Sequence, residues 1–168
     1  MDAEAREVIE SAIQMEKDGI RFYTETAEMV DNPVGKRLFL SLVEDEKKHL
    51  EKLEEASRGM GFKAGEQDKK PFPEKVRSIF SDIPGEVRES IDIDARETEA
   101  LRTAIRMEEE GIRHYSRKLA GMGGEAAELA EFIVKEEKSH RDILENTLTY
   151  LTDHNSWAVE TEGWNFEG

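Results

Sequence analysis

One pattern occurs twice in this chain, and each time it sets glutamates on a helical seam that should be apolar. The first copy reads Ala12-Ile13-Gln14-Met15-Glu16-Lys17-Asp18-Gly19-Ile20-Arg21-Phe22-Tyr23, followed later by Glu46-Lys47-Lys48-His49. The second reads Ala104-Ile105-Arg106-Met107-Glu108-Glu109-Glu110-Gly111-Ile112-Arg113-His114-Tyr115, followed by Glu137-Lys138-Ser139-His140. Each half therefore has a lone Glu, a Tyr seven residues on and a Glu-x-x-His beyond it.

The repeat predicts four helices. Ile9, Ile13, Glu16, Ile20, Tyr23, Ala27 and Val30 recur in steps of three and four, the spacing of a bundle seam. Asp2 is a candidate cap, and Asp31-Asn32-Pro33 ends this helix, because Pro cannot continue the ladder. Pro33 suits the first turn of a second helix running to about Ser57, with the seam Phe39, Leu42, Glu46, His49, Leu53, Ala56 and Met60. A third runs from about Asp94 to Leu119 (Leu101, Ile105, Glu108, Ile112, Tyr115, Leu119, Met122). A fourth runs from about Glu125 to Thr152 (Ala126, Ala130, Ile133, Glu137, His140, Leu144, Thr147, Leu151). Gly59 and Gly61 stop the second helix, and Gly121, Gly123 and Gly124 break the third.

Residues 59–92 are richer in Gly, Pro and Lys, with helical turns expected at 73–81 and 84–91. They are too long for a tight turn and read as a crossover. Four helices, two short hairpins and one long crossover between helices 2 and 3 describe an all-α, ferritin-like four-helix bundle over residues 1–152. The tail, 153–168, carries Trp157, Trp164 and Phe166 and is expected to dock on the bundle or on a partner.

Glu-x-x-His is a weak signal in so acidic a chain; its position is the stronger one. Glu16, Glu46, Glu108 and Glu137 fall where the seam calls for apolar residues, and His49 and His140 lie one turn beyond on the same face. Pairing with basic residues would be the ordinary explanation, but no Lys or Arg occurs among the seam positions. Four converging carboxylates would cost several kcal/mol each if left unpaired, or would have to stay protonated. Two divalent cations balance four glutamates, and neutral imidazoles complete the set. Tyr23 and Tyr115 lie on the same stripe. They read as core aromatics and as phenols able to donate to a ligand carboxylate or a bound oxygen species. Gly19 and Gly111, one turn after the lone Glu, make room there or let helices approach. His114 and His154 read as surface or packing residues. Of the charge runs Glu44-Asp45-Glu46 and Glu108-Glu109-Glu110, only one member reaches the seam, and the others are expected on a solvated face.

Composition narrows the partners. A formal net charge of −15 disfavours nucleic acid and anionic membrane, which call for basic surface. There is no Cys, which removes thiolate zinc sites, iron–sulfur clusters and cysteine nucleophiles. No apolar run approaches the roughly 18 residues of a membrane span, and the acidic N-terminus lacks a leader pattern, so a cytoplasmic protein is expected.

With these residues in view, the chain resembles the rubrerythrin-like branch of the ferritin-like superfamily. The likeness runs over residues 3–152, from Met15-Glu16 through Phe22-Tyr23, Glu46-Lys47-Lys48-His49 and their repeats, and extends to the aromatic, acidic end Trp164-Asn165-Phe166-Glu167-Gly168. It implies a di-iron carboxylate centre. Glu16 and Glu108 would be terminal ligands, Glu46 and Glu137 would bridge, and His49 and His140 would each hold one iron. It also implies oxidation of the diferrous pair by hydrogen peroxide or dioxygen. Two departures stand out. Full rubrerythrins carry a four-cysteine rubredoxin domain, whereas this chain, having no Cys, would take electrons from an external donor such as a rubredoxin. They also carry an extra carboxylate where this chain has Gly111. The expected function is a non-haem di-iron oxidoreductase that reduces peroxide or oxidises ferrous iron. The alternative is a divalent metal binding or storage protein holding iron, manganese or zinc without turnover. A metal-free scaffold is a third reading. A homodimer is expected, and the long crossover permits helix swapping.

Overall fold

The computed structural model describes residues 3–59 and 94–152. The chain forms α1 (Ala3–Met29), α2 (Pro33–Ser57), α3 (Ala95–His114) and α4 (Gly124–Thr152). The expectations for Asp2, Met60 and Gly61, for the crossover beyond Gly59, for His154 and for the aromatic tail fall outside the described residues.

The helix ends follow from local chemistry. The Asn32 side chain accepts from the backbone N–H groups of Val34 (2.8 Å) and Gly35 (3.4 Å), with Pro33 at the first helical position. Asp94 caps α3 in the same way, accepting from Arg96 and Glu97 at 2.8 Å each. Gly59 ends α2 at φ +72°, a conformation that side chains with a Cβ disfavour.

α1 pairs with α2 and α3 with α4, as the repeat implies. Two apolar cores form at opposite ends. One gathers Tyr23, Val30, Val34, Leu38, Leu101 and Leu144. The other gathers Ile9, Leu53, Leu119, Leu129 and Ile133. The first core draws on all four helices and the second on α1, α2, α4 and the turn that follows α3, and neighbouring helices run antiparallel. α2 therefore ends at the core of Leu53, whereas α3 starts near Leu101 at the far end. With 25 residues in α2, the end of α2 and the start of α3 must lie roughly 37 Å apart. That requirement is what makes the topology a ferritin-like bundle rather than a simple up-and-down one.

Two expectations change. The third helix does not stay α-helical to Leu119: residues Tyr115–Leu119 form a π turn, in which Ala120 N–H bonds to Tyr115 C=O, followed by a 3-10 turn at Ala120–Met122. The wider turn keeps both Tyr115 and Leu119 fully buried. The seam of α1 and α3 is also rotated. Ile13, Ile20, Ile105 and Ile112 are half-buried, and the innermost positions go to Ala12, Gly19, Ala104 and Gly111. Small residues there leave room for the carboxylates beside them. Among the described residues no helix is long and apolar enough to cross a membrane.

Candidate metal centre

Between the two apolar cores lies a layer of buried polar side chains. Glu16, Glu46, His49, Glu108, Glu137 and His140 are each 5% exposed or less. All six positions predicted from the seam are brought together. Their donor atoms fall into two groups: Glu16, Glu46, His49 and Glu137, and Glu46, Glu108, Glu137 and His140. In each group these atoms lie within 4.8 Å of one another. Glu46 and Glu137 belong to both groups, whereas each remaining residue belongs to one.

Both imidazoles aim Nδ1 at the carboxylates. His49 Nδ1 lies 3.3 Å from Glu46 Oε2 and 3.3 Å from Glu137 Oε1. His140 Nδ1 lies 3.3 Å from Glu46 Oε1 and 3.7 Å from Glu108 Oε2. The rings stack at 5.7 Å between centroids. The Phe132 edge meets His49 at 6.1 Å, with Lys52 Nζ 5.0 Å from its ring centre.

The tyrosines bond across the halves. Tyr23 donates its hydroxyl to Glu108 Oε1 at 2.5 Å, and Tyr115 donates to Glu16 Oε1. Each phenol fixes one carboxylate oxygen and leaves the other free. Glu16 Oε2 and Glu108 Oε2 are buried with no hydrogen-bond partner, as are both ring nitrogens of His140.

The electrostatics show what this crowding costs. Burial, with the Glu46 charge adding to it, pushes the Glu16 carboxyl up to about 8. Burial and then the Glu108 and Glu46 charges raise Glu137 well above the usual carboxylate range. Glu46 goes the other way: burial opposes its ionisation, but contacts with Glu16, His140 and His49 outweigh it and hold the group low. Burial disfavours charged imidazoles, yet the surrounding carboxylates raise His49 and His140 well above their ordinary value. Tyr23 and Tyr115 are raised by burial first, then by Glu108 and Glu16 respectively. Without a cation, the cluster must share protons to stay buried.

The residues fit a pair of divalent cations. Unpartnered carboxylate oxygens and imidazole nitrogens, two shared carboxylates and charge balance between four glutamates and two divalent ions all point the same way. A cavity of about 190 Å³ opens beside the cluster between α1 and α3, walled by Met15, Met107, Gly19 and Gly111. The two glycines differ. A Cβ on Gly111 would meet Glu137 Oε2 at 3.1 Å, whereas one on Gly19 would have nothing nearer than Glu46 Cγ at 3.9 Å.

His114 is half-buried, packed edge-on against Tyr115 at 5.6 Å and away from the cluster, as a packing residue should be. Asp45 overturns an expectation. The solvated face expected for it does not hold: it is 8% exposed, with Oδ2 3.4 Å from His140 Nε2 and Oδ1 accepting from Lys48 Nζ at 2.9 Å. The missed signal is its place one residue before the Glu of Glu-x-x-His, which turns it towards the neighbouring helix pair.

Fold and site together define a ferritin-like four-helix bundle with a buried carboxylate–imidazole cluster able to hold metal. The family model described as Rubrerythrin matches residues 7–148, and the chain belongs to that family. Comparison with curated proteins and with solved structures gives no match.

Proposed function

We propose that the chain is a non-haem di-iron oxidoreductase that reduces hydrogen peroxide or oxidises ferrous iron. One observation carries this reading: two groups of buried donors share Glu46 and Glu137 and leave oxygens of Glu16 and Glu108 unpartnered. In it, Glu16, Glu46, His49 and Glu137 hold one iron, and Glu46, Glu108, Glu137 and His140 hold the other. A ferrous pair bound there would supply two electrons, enough to reduce one peroxide to water with two protons.

The chain's own groups supply the rest. Tyr115 and Tyr23 hold the carboxylates of Glu16 and Glu108 in one rotamer and give each a proton donor within reach. The two apolar cores keep bulk water from both ends of the polar layer. The cavity between α1 and α3 gives a small oxidant a path to Glu16 and Glu108. Because the chain contains no Cys, this reading takes its electrons from an external donor such as a rubredoxin.

Gly111 favours a second reading, metal storage without turnover. Glu137 Oε2 fills the space beside it, so the extra carboxylate that the family resemblance implies has no counterpart there. Anaerobic Fe²⁺ titration followed by peroxide addition separates the two. Catalysis predicts loading of both groups and peroxide consumption faster than by free Fe²⁺; storage predicts loading without that acceleration. An absence of loading would overturn both.

A further inference from the structure

The layer of metal-site candidates ends at His140, whose ring faces two ways. Nδ1 points at Glu46 and Glu108. Nε2 points out of the layer, is fully buried and completes no hydrogen bond. The acceptor beside it is Asp45 Oδ2 at 3.4 Å, a few tenths of an ångström beyond a formed bond. Asp45 comes from α2, in the other half of the chain, and its second oxygen is tied by the Lys48 ammonium at 2.9 Å. A neutral imidazole has one N–H. If that proton sits on Nε2, facing a carboxylate, Nδ1 keeps its lone pair for a cation.

We infer that Asp45 is a positioning residue for His140: it fixes the ring's orientation and tautomer so that Nδ1 serves the group formed by Glu46, Glu108, Glu137 and His140. Lys48 in turn holds Asp45 at the edge of the layer. The inference rests on the metal reading above and sharpens it, because it makes the two metal positions separately adjustable. His140 belongs to one group only, so a change at Asp45 acts on that group and spares the group of Glu16 and His49. The second half puts Glu136 and Ser139 where the first has Asp45 and Lys48, so the repeat does not reproduce the Asp–Lys pair.

Titration of the chelator-stripped full chain with Co²⁺, followed by calorimetry and by visible absorbance, tests this. The parent should take one ion in each group. Asp45→Ala should weaken one of the two binding steps by about 10- to 100-fold and leave the other unchanged. Asp45→Asn, which keeps the volume and an acceptor oxygen, should recover part of the loss; it also guards against a variant that fails to fold. Unchanged constants in Asp45→Ala, or an equal loss at both steps, would overturn the positioning role while leaving the metal reading intact. A parent chain that binds no Co²⁺ would overturn the metal reading and this inference with it.

Discussion

Tyr115, at the start of the π turn that follows α3, donates its hydroxyl to Glu16 on α1, across 99 positions of sequence. Tyr23 returns the favour, donating from α1 to Glu108 on α3. Neither half of the repeat holds its own lone glutamate. Replacing Tyr115 by Phe should remove a hydrogen bond to a buried acid, worth about 1.5–3 kcal/mol when the acceptor is charged. The expected result is weaker Co²⁺ binding at the position served by Glu16, with the position served by Glu108 unchanged. Tyr23→Phe should show the opposite pattern, and titration of both variants checks it.

The shared carboxylates give a sharper contrast. Glu46→Ala or Glu137→Ala should abolish binding of both ions, because each residue belongs to both groups. Glu16→Ala or Glu108→Ala should leave one ion bound. Metal content measured after dialysis against a limited excess of Fe²⁺ under anaerobic conditions distinguishes the cases.

Gly19 and Gly111 look alike in sequence but should respond differently. Gly111→Ala places a Cβ 3.1 Å from Glu137 Oε2, so the carboxylate must shift and binding of both ions should weaken. Gly19→Ala meets only ordinary contacts and should stabilise the helix by about 0.5–1 kcal/mol without loss of metal. Thermal melts alongside metal titration of the two variants are the check.

In metal-free protein, stability should fall as pH rises from about 4.5 to about 8. Glu16 keeps its proton in the fold to about 8 and loses it near 4.5 when unfolded, so the folded state binds more protons across that window. Glu137 acts in the same direction. Glu46, held low, contributes stability that is lost only below its ordinary range and does not oppose the trend. Divalent metal should flatten the dependence by displacing those protons, and Glu16→Gln should reduce the slope. Melting temperature against pH, with chelator and with Co²⁺, measures both.

A separate contact should matter to stability and not to metal. Glu97 Oε1, near the start of α3, accepts from the backbone N–H groups of Asp31 (3.0 Å) and Asn32 (3.1 Å) in the turn between α1 and α2. Glu97→Ala would strand two donors at the joint between halves. It should cost about 1–3 kcal/mol, at roughly 2–4 °C of Tm per kcal/mol for a chain of this size. Metal stoichiometry should not change.

Much of this was legible in the sequence because it depends on period. The four helices and the convergence of Glu16, Glu46, His49, Glu108, Glu137 and His140 follow from which residues share a helical stripe, and Asp31-Asn32-Pro33 marks the break between the first two helices; the capping bonds of Asn32 and Asp94 come from the structure. What period cannot carry was misplaced or unseen. A stripe is wide enough that Ile13 and Ala12 both qualify for the centre, and only the packing of the neighbouring helix selects Ala12. The π turn at Tyr115 depends on hydrogen-bond register, which has no signature in residue type. Asp45 looked solvated because its own helix turns it partly outward; the His140 that buries it comes from another helix. Glu97 was invisible for the same reason.

The paired tyrosine–glutamate bonds are those of an isologous contact, in which each side offers what it receives. Within one chain that symmetry is not enforced, and single residues break it. His114 stands opposite Phe22, Asp45 opposite Glu136 and Lys48 opposite Ser139. Two identical subunits would have to alter both metal positions at every step. This chain can retune one position and leave its twin alone, even though the two share a pair of carboxylates.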